Sequence, residues 1–246
     1  MFSPDHFMWI GISAIIVGVL LFFSRKYKFS YKTATYIMFG IYVASEIAKI
    51  FLQFHIIDGQ LKFIFNATFL PFQLCTVTIF LVTYLVFAKN EKRIEYVKSL
   101  VLEITMIGAP LAMILPTSFV RVDPNILFDS FTEPEIYRFF IYHAGMIWYG
   151  LYLLTTKQVK MGFKPWWQSY LGLMFLMLNT IWINALLKDY NPNFMFTVAP
   201  PVNGIPLLNL NHGRFVYLLV YASLFAIITF LFQLPAIIKQ SKKVSN

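Results

Sequence analysis

The chain carries one cysteine, Cys75, and four histidines, at positions 6, 55, 143 and 212. Cys75 and His143 fall within long apolar runs, where an ionisable side chain is costly and by default faces a bundle interior or a wet cavity. A thiol beside an imidazole is a nucleophile beside its base. The ring takes the thiol proton, the thiolate attacks a carbonyl, and nearby amide, hydroxyl or ammonium donors steady the oxyanion. Other polar groups recur in the same apolar surroundings: Glu46, Lys49, Gln73, Asn179, Asn184 and Tyr217. Glu46 and Lys49 stand three residues apart, on one helical face and within pairing reach. No metal and no cofactor is expected. The histidines lie in separate segments, and there is no paired-histidine helix motif, glycine-rich phosphate loop or CxxC.

Each of these residues also has a plainer explanation. A free cysteine is commonly inert packing, asparagines within spans join helices, and a lysine such as Lys49 snorkels outward. Glu46 is the hardest to set aside, because a buried carboxylate needs a partner or a proton.

The elements that must position these groups follow from composition. Of 246 residues, 59% are hydrophobic and 13% charged, with mean hydropathy +0.67, against roughly 25% charged in an ordinary soluble domain. This describes a multi-pass membrane protein and excludes disorder, collagen and a disulfide scaffold. A bilayer core about 30 Å thick needs roughly 17–25 apolar residues per helix. Seven runs qualify, at about 7–23, 33–54, 69–88, 96–115, 136–155, 167–187 and 214–234. The expected fold is therefore all-α, one domain over 1–246 built as a polytopic bundle of seven transmembrane helices. Gly108-Ala109-Pro110 is expected to kink the fourth of them.

Charge sets the direction. Arg25, Lys26, Lys28, Lys32, Lys89, Lys92, Arg93, Lys98, Lys157, Lys160, Lys164, Lys239, Lys242 and Lys243, fourteen of the 20 basic residues, fall in every second connection and the tail. The opposite connections carry Lys62, Arg121, Arg138, Lys188 and Arg214 together with acids that include Asp5, Asp123, Asp129, Glu133 and Glu135. Basic residues concentrate in cytoplasmic loops, which puts the N-terminus outside and the C-terminus in the cytoplasm of a cell membrane. The net charge of +9 is thus a topology signal. No loop is long enough to build a nucleic-acid face. The first span, acidic before and basic after, reads as an anchor.

With this orientation the polar groups converge on one depth. At 1.5 Å per residue Cys75 lies about 9 Å, His143 about 10 Å, Glu46 about 12 Å and Lys49 about 8 Å below the outer surface. Only Glu103 lies nearer the cytoplasmic side. Lipid esters occupy the outer depth, so membrane lipids are the expected partner and substrate. Two outer connections are long, 116–135 and 188–213. The second holds helix breakers, Asn191-Pro192-Asn193, Pro200-Pro201 and Gly204, and an apolar stretch, 194–198, open to two readings: a lid folded back on the outer face or a loop at headgroup level.

On Leu70-Pro71-Phe72-Gln73-Leu74-Cys75, His143, Asn193-Phe194-Met195-Phe196 and the seven spans, the chain resembles the YwaF-type bacterial membrane proteins, related to the transmembrane protein 164 acyltransferases. The resemblance covers most of the chain, from about Glu46 to the last helix. The animal relatives move fatty acyl groups between phospholipids with a cysteine and a histidine. The resemblance therefore implies Cys75 as acyl-accepting nucleophile, His143 as base and a bacterial cytoplasmic membrane; the shared depth adds Glu46, Lys49, Gln73, Asn179, Asn184 and Tyr217 around them. Where the family usually has a histidine this chain has Gln73, so any second imidazole role is missing or taken by an amide. The expected function is a membrane-embedded acyltransferase or lipid esterase. The alternative is a transporter or small-ligand-binding protein using the same polar pocket, which the absence of paired interrupted helices disfavours.

Overall fold

Apolar segments of this length fold as helices because, in lipid, each backbone amide must find its partner within its own segment. The computed structural model describes residues 4–115, 134–200 and 208–244. Among them seven helices carry the fold: α1 (Pro4–Lys26), α2 (Tyr31–Phe51), α3 (Leu74–Phe87), α4 (Glu91–Ile114), α5 (Pro134–Thr155), α6 (Phe163–Leu186) and α7 (Arg214–Val244). Five of these, α1, α2, α4, α6 and α7, are long and apolar enough to cross a membrane.

The two exceptions have different causes. α5 has 22 residues, of which thirteen are buried, and it packs against α1, α2 and α4. A helix enclosed by other helices presents little surface to lipid and tolerates hydroxyls that bond its neighbours. Three tyrosines do so. Tyr142 donates to the Cys75 carbonyl at 2.7 Å, Tyr149 shares a hydrogen bond with Thr35 at 2.8 Å, and Tyr152 donates to the Phe29 carbonyl at 2.9 Å. α3 is short. Its 14 residues span about 21 Å, and the expected span from 69 begins instead as non-helical chain. Pro71 is the reason: it lacks an amide hydrogen and disfavours helical backbone at the residue before it, and Leu70 is extended (ψ 145°).

Helix directions alternate. Trp9 stacks on Phe140 while Tyr152 reaches Phe29, so α1 and α5 run parallel. Thr35 meets Tyr149 and Ser45 meets Arg138, so α2 runs against α5. The basic connections meet at one end, where Lys160 pairs with Glu95 at 2.9 Å, Lys98 lies over the Tyr31 ring and Gln240 donates to the Met161 carbonyl. In α4, next to the Gly108-Ala109-Pro110 where a kink is expected, the backbone makes a π-turn, Ile104–Gly108, closed by the Ala109 amide on the Ile104 carbonyl. Beside it, a Cβ on Gly150 of α5 would stand 2.5 Å from Thr105 Oγ1 and 2.9 Å from Met106 Sδ, so the two helices meet across a bare glycine.

Not expected from the apolar pattern is a hairpin between α2 and α3, β1 (Phe54–Ile57) with β2 (Gln60–Phe63). α2 stops at Phe51 because the chain turns out into it, three residues before the expected end. Asp58 and Gly59 both have positive φ, 54° and 72°, as a two-residue type I′ turn demands. The long connection 116–135 falls outside the described residues except at its end, as do Pro201 and Gly204.

Candidate functional site

Two irregular segments meet at the first turn of α3, and the polar residues of the apolar spans hold them in place. The first is the approach to α3. Gln53 Oε1 accepts from the Asn66 amide at 3.0 Å, and Lys49 Nζ donates to the Phe69 carbonyl at 3.1 Å while pairing with Glu46 Oε1 at 2.6 Å. The second is 193–199, where Phe194–Phe196 forms a short 3-10 turn. Asn184 satisfies both backbone groups of Phe194, accepting from its amide at 2.9 Å and donating to its carbonyl at 3.1 Å. Asn193 accepts from the amides of Val198 and Ala199. Tyr217 donates to the Phe196 carbonyl at 2.5 Å and Arg214 to that of Thr197 at 3.2 Å. Met195 and Phe196 are left-handed (φ 49° and 55°), a conformation that costs such residues about 1–3 kcal/mol each and persists only where the surroundings over-determine it.

Gln73 joins the two segments. It stands at the N-cap of α3 in extended conformation, yet its side chain does not cap that helix; Oε1 accepts from the Met195 amide at 3.0 Å. Phe72 meets Phe194 edge to face with ring centres 5.5 Å apart. The stretch 194–198 thus folds back into the bundle, with Phe194 and Thr197 fully buried.

Cys75 is the second residue of α3 and is half-buried. Its carbonyl accepts from the hydroxyls of Tyr142 and Thr78, and Thr78 in turn meets Tyr42 at 2.5 Å. Its sulfur lies 3.9 Å from where a Cβ on Gly108 would stand, against the π-turn of α4. His143 follows Tyr142 on α5. Its ring lies 4.1 Å from that of Phe139 and 5.1 Å, edge-on, from that of Tyr142. Nδ1 lies 2.8 Å from the Phe139 carbonyl. A carbonyl only accepts, so Nδ1 carries the hydrogen and the neutral ring keeps its free lone pair on Nε2. Arg138 and Lys49 are the cations near enough to act on His143 through space. Arg138 forks onto both Glu135 oxygens and donates to Ser45 at 3.0 Å, so two ion pairs flank the imidazole.

The structure therefore brings Cys75, Gln73, Asn184 and Tyr217 to the junction of α3 with 193–199, and His143, Glu46 and Lys49 to the adjoining layer between α2 and α5. Tyr142 bridges the two groups. No hydrogen bond joins the thiol to the imidazole among the described residues. Asn179 stands apart: it is exposed and, among the described residues, bonds only the Phe175 carbonyl of its own helix. Tyr42, Thr78, Gln53 and Tyr142 escaped sequence reasoning, and Asn193 entered it only as a helix breaker and as part of the resemblance. Thr78 had a usable signal, since a threonine three residues after Cys75 reaches the Cys75 carbonyl by helical geometry alone.

A family model described as the TMEM164 family matches residues 1–233. The chain belongs to the TMEM164 family. Neither the curated proteins nor the solved structures include a match to it. The match takes in every residue of the junction, and it agrees with the helical, apolar architecture: this is a multi-pass membrane protein of the TMEM164 family. Among its described residues no cluster of three or more histidine, cysteine or acidic side chains could hold a metal.

Proposed function

We propose that this TMEM164-family protein is an acyltransferase or lipid esterase of the cell membrane. Its seven helices all cross the bilayer, the N-terminus lies outside, and Cys75 acts on phospholipid acyl esters in the outer leaflet. The observation that carries the reading is the setting of Cys75: a lone thiol in the first turn of α3, fastened through Tyr142 to the helix that holds His143 in one tautomer.

The chemistry follows from that setting. His143 Nε2 takes the thiol proton, directly or through one water. The thiolate adds to the ester carbonyl, and the first-turn amides of α3, which have no intrahelical acceptor, face the forming oxyanion. Collapse breaks the ester C–O bond. The departing lysophospholipid oxygen takes the proton from His143, and the acyl group stays on Cys75 as a thioester. A lipid hydroxyl or water, deprotonated by the same ring, attacks the thioester and restores the thiol. Gln73, Asn184 and Tyr217 are positioning residues that hold 193–199 against this turn. The test is acyl transfer or hydrolysis by purified protein given phospholipid with a labelled acyl chain. Activity is expected from the wild type and is lost in Cys75→Ala. Undiminished activity in that variant overturns the mechanism.

A further inference from the structure

At the end of the bundle away from Cys75, a cleft of about 310 Å³ opens between the C-termini of the parallel helices α1 and α5. Arg25 and Lys28 line it, Phe29 and Tyr152 form an apolar wall, and Thr155 and Thr156 close the far side. Both helices end in the same way. The Phe29 amide bonds the Ser24 carbonyl and the Lys28 amide that of Arg25; the Gln158 amide bonds the Leu153 carbonyl and the Lys157 amide that of Leu154. These are two Schellman caps, and each has a lysine, Lys28 (φ 46°) and Lys157 (φ 56°), at the left-handed position that glycine ordinarily takes. Lysine is strained there, and an observed backbone outlier points towards a function for the side chain it carries.

The cations are not needed for capping. The carbonyls of Ser24, Arg25, Leu153 and Leu154 already accept backbone amides, and that of Phe29 accepts the Tyr152 hydroxyl. Arg25 and Lys28 make no ion pair among the described residues, whereas Lys160, at the same end, pairs with Glu95. Arg25 and Lys28 sit at the negative ends of α1 and α5, which favour a cation, but they have no carboxylate partner among the described residues, and over an apolar wall they match a phosphate: guanidinium forks onto two oxygens and ammonium holds a third as a point charge. Outside the cleft the end of α1 exposes Phe22 and Phe23, and Tyr27 just after it is exposed too, an aromatic border suited to the level of lipid headgroups.

We infer that the cleft between the C-termini of α1 and α5 binds a phosphate-bearing anion, with Arg25 and Lys28 on the phosphate oxygens and Phe29 and Tyr152 under the group the phosphate carries. The ligand class is phosphate mono- or diester. An anionic phospholipid headgroup, its chains along α1, and a free glycerol phosphate share that chemistry. This site is independent of the reaction proposed for Cys75.

The test titrates purified full-length protein with short-chain phosphatidylglycerol and, in a second arm, with glycerol 3-phosphate. Binding of the lipid alone assigns the site to headgroups, and equal binding of both assigns it to the free anion. Arg25→Gln/Lys28→Gln is expected to weaken binding about tenfold or more, the loss of a charge-assisted hydrogen bond. The control Lys32→Gln/Lys164→Gln, with the same change in charge outside the cleft, leaves it unchanged. Lys28→Gly guards against misfolding, because glycine suits the cap: the Tm is maintained or raised while affinity falls. An affinity that survives in Lys28→Gly, falls equally in the control, or is absent for both ligands in the wild type overturns the inference.

Discussion

At the scale of single residues, the tautomer of His143 decides which of its nitrogens works. With Nδ1–H committed to the Phe139 carbonyl, Nε2 is the only lone pair the ring can offer. His143→Asn keeps a donor near Nδ1 and removes Nε2. It is expected to lower kcat about 10²–10⁴-fold with Tm and KM little changed; activity within twofold of wild type, on a roughly even scale, contradicts the role. The two asparagines of α6 show what the sequence made legible and what it did not. Both are polar in an apolar helix, and both were expected at the site. Five residues of helix turn the chain by about 500°, which sets Asn179 and Asn184 roughly 140° apart around the axis; one is buried on Phe194 and the other exposed. Cys75 and His143 stood out because apolar runs make polar groups visible. Tyr142, which links them, did not, because a tyrosine in such a run is unremarkable until its hydroxyl is seen to cross to another helix.

At the scale of elements, the polar residues of the spans serve irregular backbone. Buried backbone groups outside helices and strands need other partners, and in 64–73 and 193–199 side chains supply several: Gln53 for Asn66, Lys49 for Phe69, Asn184 for Phe194 and Gln73 for Met195. Asn184→Ala orphans the buried amide of Phe194 and takes one donor from its carbonyl, which keeps those of Thr197, and should cost about 1–3 kcal/mol. Thermal melts would show the loss, and limited proteolysis would show new cleavage confined to 193–199; a melt and digestion pattern equal to wild type would contradict the assignment. Gly150→Ala tests the α4–α5 contact. The added methyl meets Thr105 and Met106 at under-contact distance, and overpacking of about 1–3 kcal/mol is expected, visible as a lower Tm; an unchanged melt would show that the helices separate freely. Helix existence was legible from apolar length alone. The late start of α3 was written in Pro71, and the hairpin in Asp58-Gly59, a pair suited to a two-residue hairpin turn. The first was hidden by the hydrophobicity around 69–73, which favours a helix on composition; the second falls in a connection, 55–68, for which the apolar pattern names no element.

At the scale of the whole molecule, the basic connections gather at one end of alternating helices, and Cys75 lies towards the other. Because Cys75 is the only cysteine, the proposed orientation can be read with single new cysteines in a Cys75→Ala background. Lys62→Cys in the hairpin should react with a membrane-impermeant maleimide in intact cells, and Lys160→Cys only after lysis; the reverse pattern would invert the bundle and move the chemistry to the inner leaflet. The most direct measurement of the central claim is on Cys75 itself. Purified protein is given a phospholipid with a labelled acyl chain, quenched in acid and analysed by peptide mass spectrometry. The account predicts an acyl group on the Cys75 peptide that hydroxylamine removes and that accumulates when no acceptor lipid is present. Labelled product formed at the wild-type rate by Cys75→Ala, with no acyl group ever found on Cys75 of the wild type, contradicts it.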